Sequence, residues 1–228
     1  MALTVAFENI GESAAVPVTN LVTVAAPAGA ASASLPGNDQ IWRWDSANAE
    51  WIKYYYRKVG TQAAVGWCKA GATTITTDTI PCGETFFFRR GTAGGSATTL
   101  TLSGAVKQFS ASTSYSVAPG KYCFMGYPWP VPMTIAKFTD YQGAPAGAAS
   151  ASLPGNDQIW LWDTATSDWV KYYYRKVGTQ AAVGWCKAGT TTVTTDTIPA
   201  GEGFFFRRGT AGATDTITFT YPASTTEE

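Results

Sequence analysis

Two carboxylates and four cysteines are the residues of this chain with the widest chemical reach. Glu84 and Glu202 each sit in a Pro-x-Gly-Glu turn, and a pair of carboxylates is the minimum machinery for hydrolysing a glycoside. Each glutamate is followed closely by an arginine pair, Arg89-Arg90 or Arg207-Arg208. A surface ion pair is the simpler use of such neighbours. The cysteines are Cys68, Cys82, Cys123 and Cys186. Their spacing matches no zinc pattern, and four cysteines allow three pairings. Bonds within a unit (Cys68–Cys82 and Cys123–Cys186), bonds between units or subunits, and free buried thiols all stay open. Histidine is absent, which excludes Ser-His-Asp and Cys-His mechanisms and removes the commonest transition-metal ligand. No phosphate loop or nucleophile elbow occurs. The expectation is a non-enzymatic protein without metal or cofactor.

The elements that position these residues occur twice. Ala26 to Gly94 returns as Ala144 to Gly212, 118 residues further on, with ten differences in 69 positions. A repeat of this kind fixes the architecture before any local reading. The match extends upstream at an offset of 115, where Gly11, Val16, Pro17 and Thr19 correspond to Gly126, Val131, Pro132 and Thr134. Two units of roughly this size fill the 228 residues. We expect domains at residues 1–112 and 113–228, with the Ser-rich stretch 103–116 as linker.

Composition points to an all-β chain. Aromatics make up 14% of the residues, Gly, Ala, Ser and Thr are abundant, and long helical periodicity is missing. Each unit opens on a half-buried strand, residues 2–10 in the first. A Pro-Gly-Asn-Asp turn at residues 36–39 precedes the alternating strand Gln40 to Asp45. The aromatic run Trp51 to Lys58 then completes a hairpin. Residues 59–72 read as irregular, Thr73 to Thr77 as a short strand, and Phe86 to Arg90 as a strand after a turn. The expected fold is two tandem, near-identical β-sandwich-like (or small β-barrel) domains.

Three of these segments carry a resemblance. Pro119-Gly120-Lys121-Tyr122-Cys123-Phe124-Met125-Gly126-Tyr127-Pro128 is similar to an opening strand of the GWNLIS or GWNLVGYP type. Ile159-Trp160-Leu161-Trp162-Asp163 resembles a W-x-W-D hairpin. Ile198-Pro199-Ala200-Gly201-Glu202-Gly203-Phe204-Phe205-Phe206 resembles a PGxGFF turn and strand. Together they resemble a family of secreted bacterial proteins with tandem β-domains, mostly without assigned activity. The first unit departs from the opening motif at Asn9-Ile10-Gly11-Glu12-Ser13. The resemblance implies a secreted β-rich role and names no catalytic residue.

In a strand, neighbouring side chains point to opposite faces. Tyr54-Tyr55-Tyr56 and Phe86-Phe87-Phe88, with their counterparts at 172–174 and 204–206, must therefore place rings on both faces of a sheet. A small antiparallel domain has one dry face and one wet face, so aromatics on the second face imply that it too is covered, by a long loop closing the same unit's sandwich core, by the sister unit or, as a contact surface, by another subunit. The candidates for that contact are Trp42, Trp44, Tyr55, Phe87, Trp129, Trp160, Trp162, Tyr173 and Phe205. The functional expectation is an extracellular or cell-surface structural protein, its signal peptide already removed. It self-assembles into a filament, tube or surface layer through repeat-to-repeat and edge-strand contacts, with itself as partner. The alternative partner is polysaccharide, stacked on a tandem carbohydrate-binding platform of Trp42, Trp44, Trp51 and Trp67 with Asp39 or Asp45 as hydrogen-bond partners. Balanced charge, 16 Lys+Arg against 16 Asp+Glu, removes the electrostatic case for nucleic acid. No apolar run reaches the ~18 residues of a membrane-inserted helix.

Overall fold

In the computed structural model of the chain, the described residues are 2–4, 7–8, 15–18, 23–24, 27–29, 36–58, 65–81, 84–96, 98, 100–101, 105–106, 113–127, 132–138, 145–147, 154–176, 183–211 and 215–219. Its contacts divide the chain into two compact units, Met1–Lys107 with Gly201–Gly203, and Gln108–Ala200 with Phe204–Glu228. The fold is all-β. Its strands pair antiparallel, and short 3-10 turns occur at Thr92–Gly94 and Ile135–Lys137.

The first unit is built on a five-stranded sheet of β1 (Ala2–Thr4), β2 (Gln40–Asp45), β3 (Glu50–Arg57), β4 (Gly66–Lys69) and β5 (Thr85–Arg89), in spatial order β1-β5-β2-β3-β4. The second repeats it with β6 (Tyr122–Gly126), β7 (Gln158–Asp163), β8 (Asp168–Arg175), β9 (Gly184–Lys187) and β10 (Gly203–Arg207), in order β6-β10-β7-β8-β9. Two-stranded ladders complete each unit, for example Ala15–Pro17 with Thr79–Pro81 and Met133–Thr134 with Thr197–Ile198. Thr113–Val117 pairs with Asp215–Phe219.

Register sorts the side chains. Ile41 lies opposite Tyr54 and Phe88, and Tyr56 opposite Trp67. These residues share one face, and with Phe86, Val18 and Ile80 they form the first core. Ile80 comes from the short Thr79–Pro81 ladder, so this core lies between the five-stranded sheet and that ladder. The second core is the same construction, with Ile159, Tyr172, Tyr174, Trp185, Phe204, Phe206 and Ile198. It also takes in Val117, Met125, Tyr127, Ile135, Phe138 and Leu161. Leu161 stands where the first unit has Arg43, one of the ten differences between the repeats.

Two local expectations are corrected. The stretch read as irregular contains β4, whose Trp67 and Cys68 are both buried. The Thr73 to Thr77 run forms no strand and contributes a single bridge, Cys68 to Ile75, mirrored by Cys186 to Val193. Gly66 explains the first miss. Its φ of +154° opens the strand, and a Cβ there would press within 3.3 Å of the Ile75 side chain. A four-residue strand flanked by small residues carries too little alternation to be seen.

Asp78 anchors the core from its edge. It accepts a 2.7 Å bond from the Tyr54 hydroxyl, and Asp196 does the same for Tyr172. Burial, then the adjacent carboxylate, pushes the Tyr54 hydroxyl up to about 12 and Tyr172 in the same direction. A group whose folded pKa lies above its unfolded value of about 10 contributes stability below pH ~10. That contribution disappears as pH rises through the folded value. A pH titration of absorbance at 295 nm is therefore expected to leave two tyrosines un-ionised past pH 11, with far-ultraviolet circular dichroism falling as they titrate. Ionisation of every tyrosine near pH 10 in a folded chain would contradict this.

Candidate interaction face

The face of each sheet opposite the core is an aromatic ladder. Trp44 lies directly across from Trp51, and Trp42 lies between Lys53 and Phe87. The rings meet edge to face: Trp44–Trp51 at 5.2 Å, Trp51–Phe87 at 5.6 Å, and Trp42–Trp51 at 6.1 Å in a tilted arrangement. Such pairs contribute about 0.5–1.5 kcal/mol beyond their area. The second unit reproduces the set with Trp162–Trp169 at 5.2 Å and Trp169–Phe205 at 5.2 Å. There β6 extends it: Phe124 stacks on Phe205 at 4.5 Å, and Tyr122 meets Trp160 at 5.2 Å. Trp42, Trp44, Trp51, Trp160, Trp162 and Trp169 are all half-buried.

Polar groups frame the rings. The Trp42 indole N–H donates to the Gln40 Oε1 at 2.8 Å, and Trp160 does the same to Gln158. The Lys53 and Lys171 ammonium groups stand 4.2 Å over the Trp42 and Trp160 rings, a cation–π contact. The Arg207 guanidinium lies 5.6 Å over Tyr122. The hairpin β2–β3 projects: β5 pairs only with residues 40–43 and β4 only with 54–57, so the Trp44–Trp51 pair extends past both neighbours.

The sequence candidates fall into three groups. Trp42, Trp44 and Phe87, with Trp160, Trp162 and Phe205, are brought together on these faces. Tyr55 and Tyr173 share the same face but are 3% exposed, their hydroxyls donating to the carbonyls of Ala72 and Thr190. They seal the ladder's base. Trp129 lies outside the described residues, as does Cys82. Trp169, Tyr122 and Phe124 join the face although composition singled out none of them. Strand alternation was the signal, since each sits two positions from a neighbour on the same side.

Trp67 is 3% exposed and belongs to the core, as does its counterpart Trp185 at 0%, so neither is a sugar platform. Asp39 and Asp157 are also unavailable to a ligand, both at 0%. Asp39 accepts from the backbone N–H groups of Ala28 (2.8 Å) and Gly91 (2.7 Å) and from Arg90 (2.6 Å). Asp157 accepts from Ala146 (2.9 Å), Gly209 (2.7 Å) and Arg208 (2.7 Å). This knot ties the Pro-Gly-Asn-Asp turn to the end of β5 or β10. Asp45 is half-buried at the hairpin tip, where bonds from the Asn48 side chain and from the Ala47 and Asn48 backbones hold its carboxyl below the usual range.

The carboxylate and thiol chemistry also resolves. Glu84 pairs with Arg43, which donates from Nε at 2.9 Å and Nη2 at 2.6 Å, and not with Arg89 or Arg90. Arg43 is 41 residues away, on β2, which lies beside β5 in the sheet. Burial still raises the Glu84 carboxyl, the Arg43 charge opposing it. In the second unit Leu161 replaces that arginine, and burial raises Glu202 as well. Cys68 and Cys186 are buried thiols, so the intra-unit pairings Cys68–Cys82 and Cys123–Cys186 do not form. Burial raises both thiols, the opposite of what a reactive cysteine requires. No family model, curated protein or solved structure matches the chain.

Proposed function

We propose that the chain is a non-enzymatic, extracellular structural protein that joins to further copies of itself through its aromatic sheet faces. One observation carries this reading: the same half-exposed Trp ladder, with the same Lys and Gln around it, is built twice in one chain. Clustered exposed aromatics on a soluble surface mark a contact site. A chain with two equivalent patches has a valence of two, and a divalent subunit that pairs patch to patch grows an open chain. The extracellular setting is supported by the Gly, Ala, Ser and Thr-rich, aromatic composition.

The valence is testable. Changing Trp44 and Trp51 to serine removes one patch, and changing Trp162 and Trp169 as well removes both. Light scattering of the wild type, the one-patch and the no-patch variants is expected to give open polymer, dimer and monomer in turn. Equal masses for all three would sink the reading. A monomeric wild type retained on a polysaccharide column through these tryptophans would replace it with the carbohydrate-binding alternative.

A further inference from the structure

The chain is neutral overall, yet its charges are sorted between the two sides of each sheet. Alternation from Ile41 and Tyr54 puts Asp45 and Glu50 on the core side, where Glu84 also meets Arg43. Alternation from Trp51 and Phe87 puts Lys53, Arg57 and Arg89 on the aromatic side. The second unit has Lys171, Arg175 and Arg207 at the same places. Among the described residues, these strands carry no carboxylate on the aromatic side of either sheet. Arg57 and Arg175 donate to the carbonyls of Thr73 and Thr191. Lys53, Lys171 and Arg89 are exposed and form no ion pair with a described residue. Arg207 donates to the Pro154 carbonyl at 2.9 Å and meets no carboxylate among them either.

This sorting selects a ligand chemistry. The Trp42 indole N–H already engages Oε1 of Gln40, so that amide offers chiefly its N–H donors, and Gln158 repeats this with Trp160. Each face therefore presents rings and donors without a charged acceptor. A neutral sugar's hydroxyls call for acceptors as well as donors, whereas a carboxylate only accepts and forms the stronger, charge-assisted bonds. Lys53 lies across Trp42 from Phe87, and Arg89 is two residues beyond Phe87. Strand spacing of about 4.8 Å and a rise of about 3.4 Å per residue put the two cations roughly 12 Å apart. One small anion cannot reach both. A chain with repeated carboxylates can, its sugar rings passing over Trp42 between them. Nucleic acid fits less well, because the balanced charge gives no wider basic footprint and the tilted and edge-to-face ring pairs form no stacking platform for bases.

We infer that each aromatic face binds an acidic polysaccharide, with carboxylates on Lys53 and Arg89 in the first unit and on Lys171 and Arg207 in the second. This goes beyond the assembly reading and stands without it. The ligand and a second copy use the same face, so bound polysaccharide displaces the copy.

Tryptophan fluorescence of the dilute chain, titrated with polygalacturonate at low ionic strength, tests this, with the fully methyl-esterified polymer and poly(dT) alongside. The wild type is expected to respond to polygalacturonate and far more weakly to the other two. Lys53→Gln with Lys171→Gln is expected to weaken binding roughly tenfold, the loss of one charge-assisted bond per face. Lys53→Arg with Lys171→Arg is expected to keep it, which also shows that changes at these positions leave the chain folded. An equal response to the methyl ester would indicate neutral-sugar recognition, and an equal response to poly(dT) a general polyanion surface. Either result overturns the inference, as would no response at all or undiminished binding by the glutamine variant. Sedimentation without ligand tells the two readings apart. A monomer that binds polygalacturonate sinks assembly alone, and a polymer that ignores it sinks this inference alone.

Discussion

Replacing Asp157 by alanine is expected to destabilise the second unit by about 3–5 kcal/mol, the range for removing one partner of a buried ion pair. Arg208 and Asp157 are 1% and 0% exposed, so the abandoned guanidinium has no water to turn to. Two backbone N–H groups, those of Ala146 and Gly209, lose their acceptor with it, and unsatisfied buried donors add their own cost. The same change at Asp39 is expected to cost less, because Arg90 is 23% exposed and can be rehydrated. Urea unfolding of the two variants reads the difference directly. Equal and small shifts at both positions would show that the knot is incidental to stability. Gly209 explains why the turn at the other end is invariant between repeats. A Cβ there would sit 2.0 Å from the carbonyl oxygen of Gly155, and one at Gly91 2.1 Å from that of Gly37.

The second large effect is at Trp185. Truncation to alanine is expected to cost about 3–5 kcal/mol, the usual range for a buried tryptophan. Its ring meets Tyr174 at 5.4 Å and Phe138 at 5.9 Å, and its N–H donates to the Phe138 carbonyl at 3.2 Å. Trp162, on the opposite face, is half-buried and is expected to cost far less when truncated, and, on the proposed function, to weaken association. Thermal unfolding and light scattering on the pair separate the two roles. A Trp162→Ala chain as unstable as Trp185→Ala would place the ladder in the core and leave no face for contact.

Trp67 and Trp185 show where reading the sequence stops. The hairpin of β2 and β3 and the strand β5 are legible because six to eight residues alternate, and their rings on both faces follow from the period of two. The side on which a given ring falls is not legible for Trp67, since β4 is four residues long and its register is set by pairing with Tyr56. The Asp39 knot was hidden for a related reason. A Pro-Gly-Asn-Asp string reads as an exposed turn, and only the chain's return 51 residues later brings Arg90 to its carboxylate. Arg43 and Glu84 are a third case, local proximity pointing to Arg89 and tertiary proximity to Arg43. The repeat held one usable clue. Asn38, Asp39, Arg90 and Gly91 are identical in both copies, while the tip residues 46 and 48–50 are not.

The claim on which the account rests is that two aromatic faces make the chain divalent toward itself. Sedimentation velocity of the wild-type chain across a hundredfold concentration series, with negative-stain electron microscopy of the top sample, tests it most directly. A divalent chain gives a weight-average mass that climbs with concentration without a plateau, and elongated particles on the grid. A single monomer boundary at every concentration, or a plateau at a closed dimer, would contradict it.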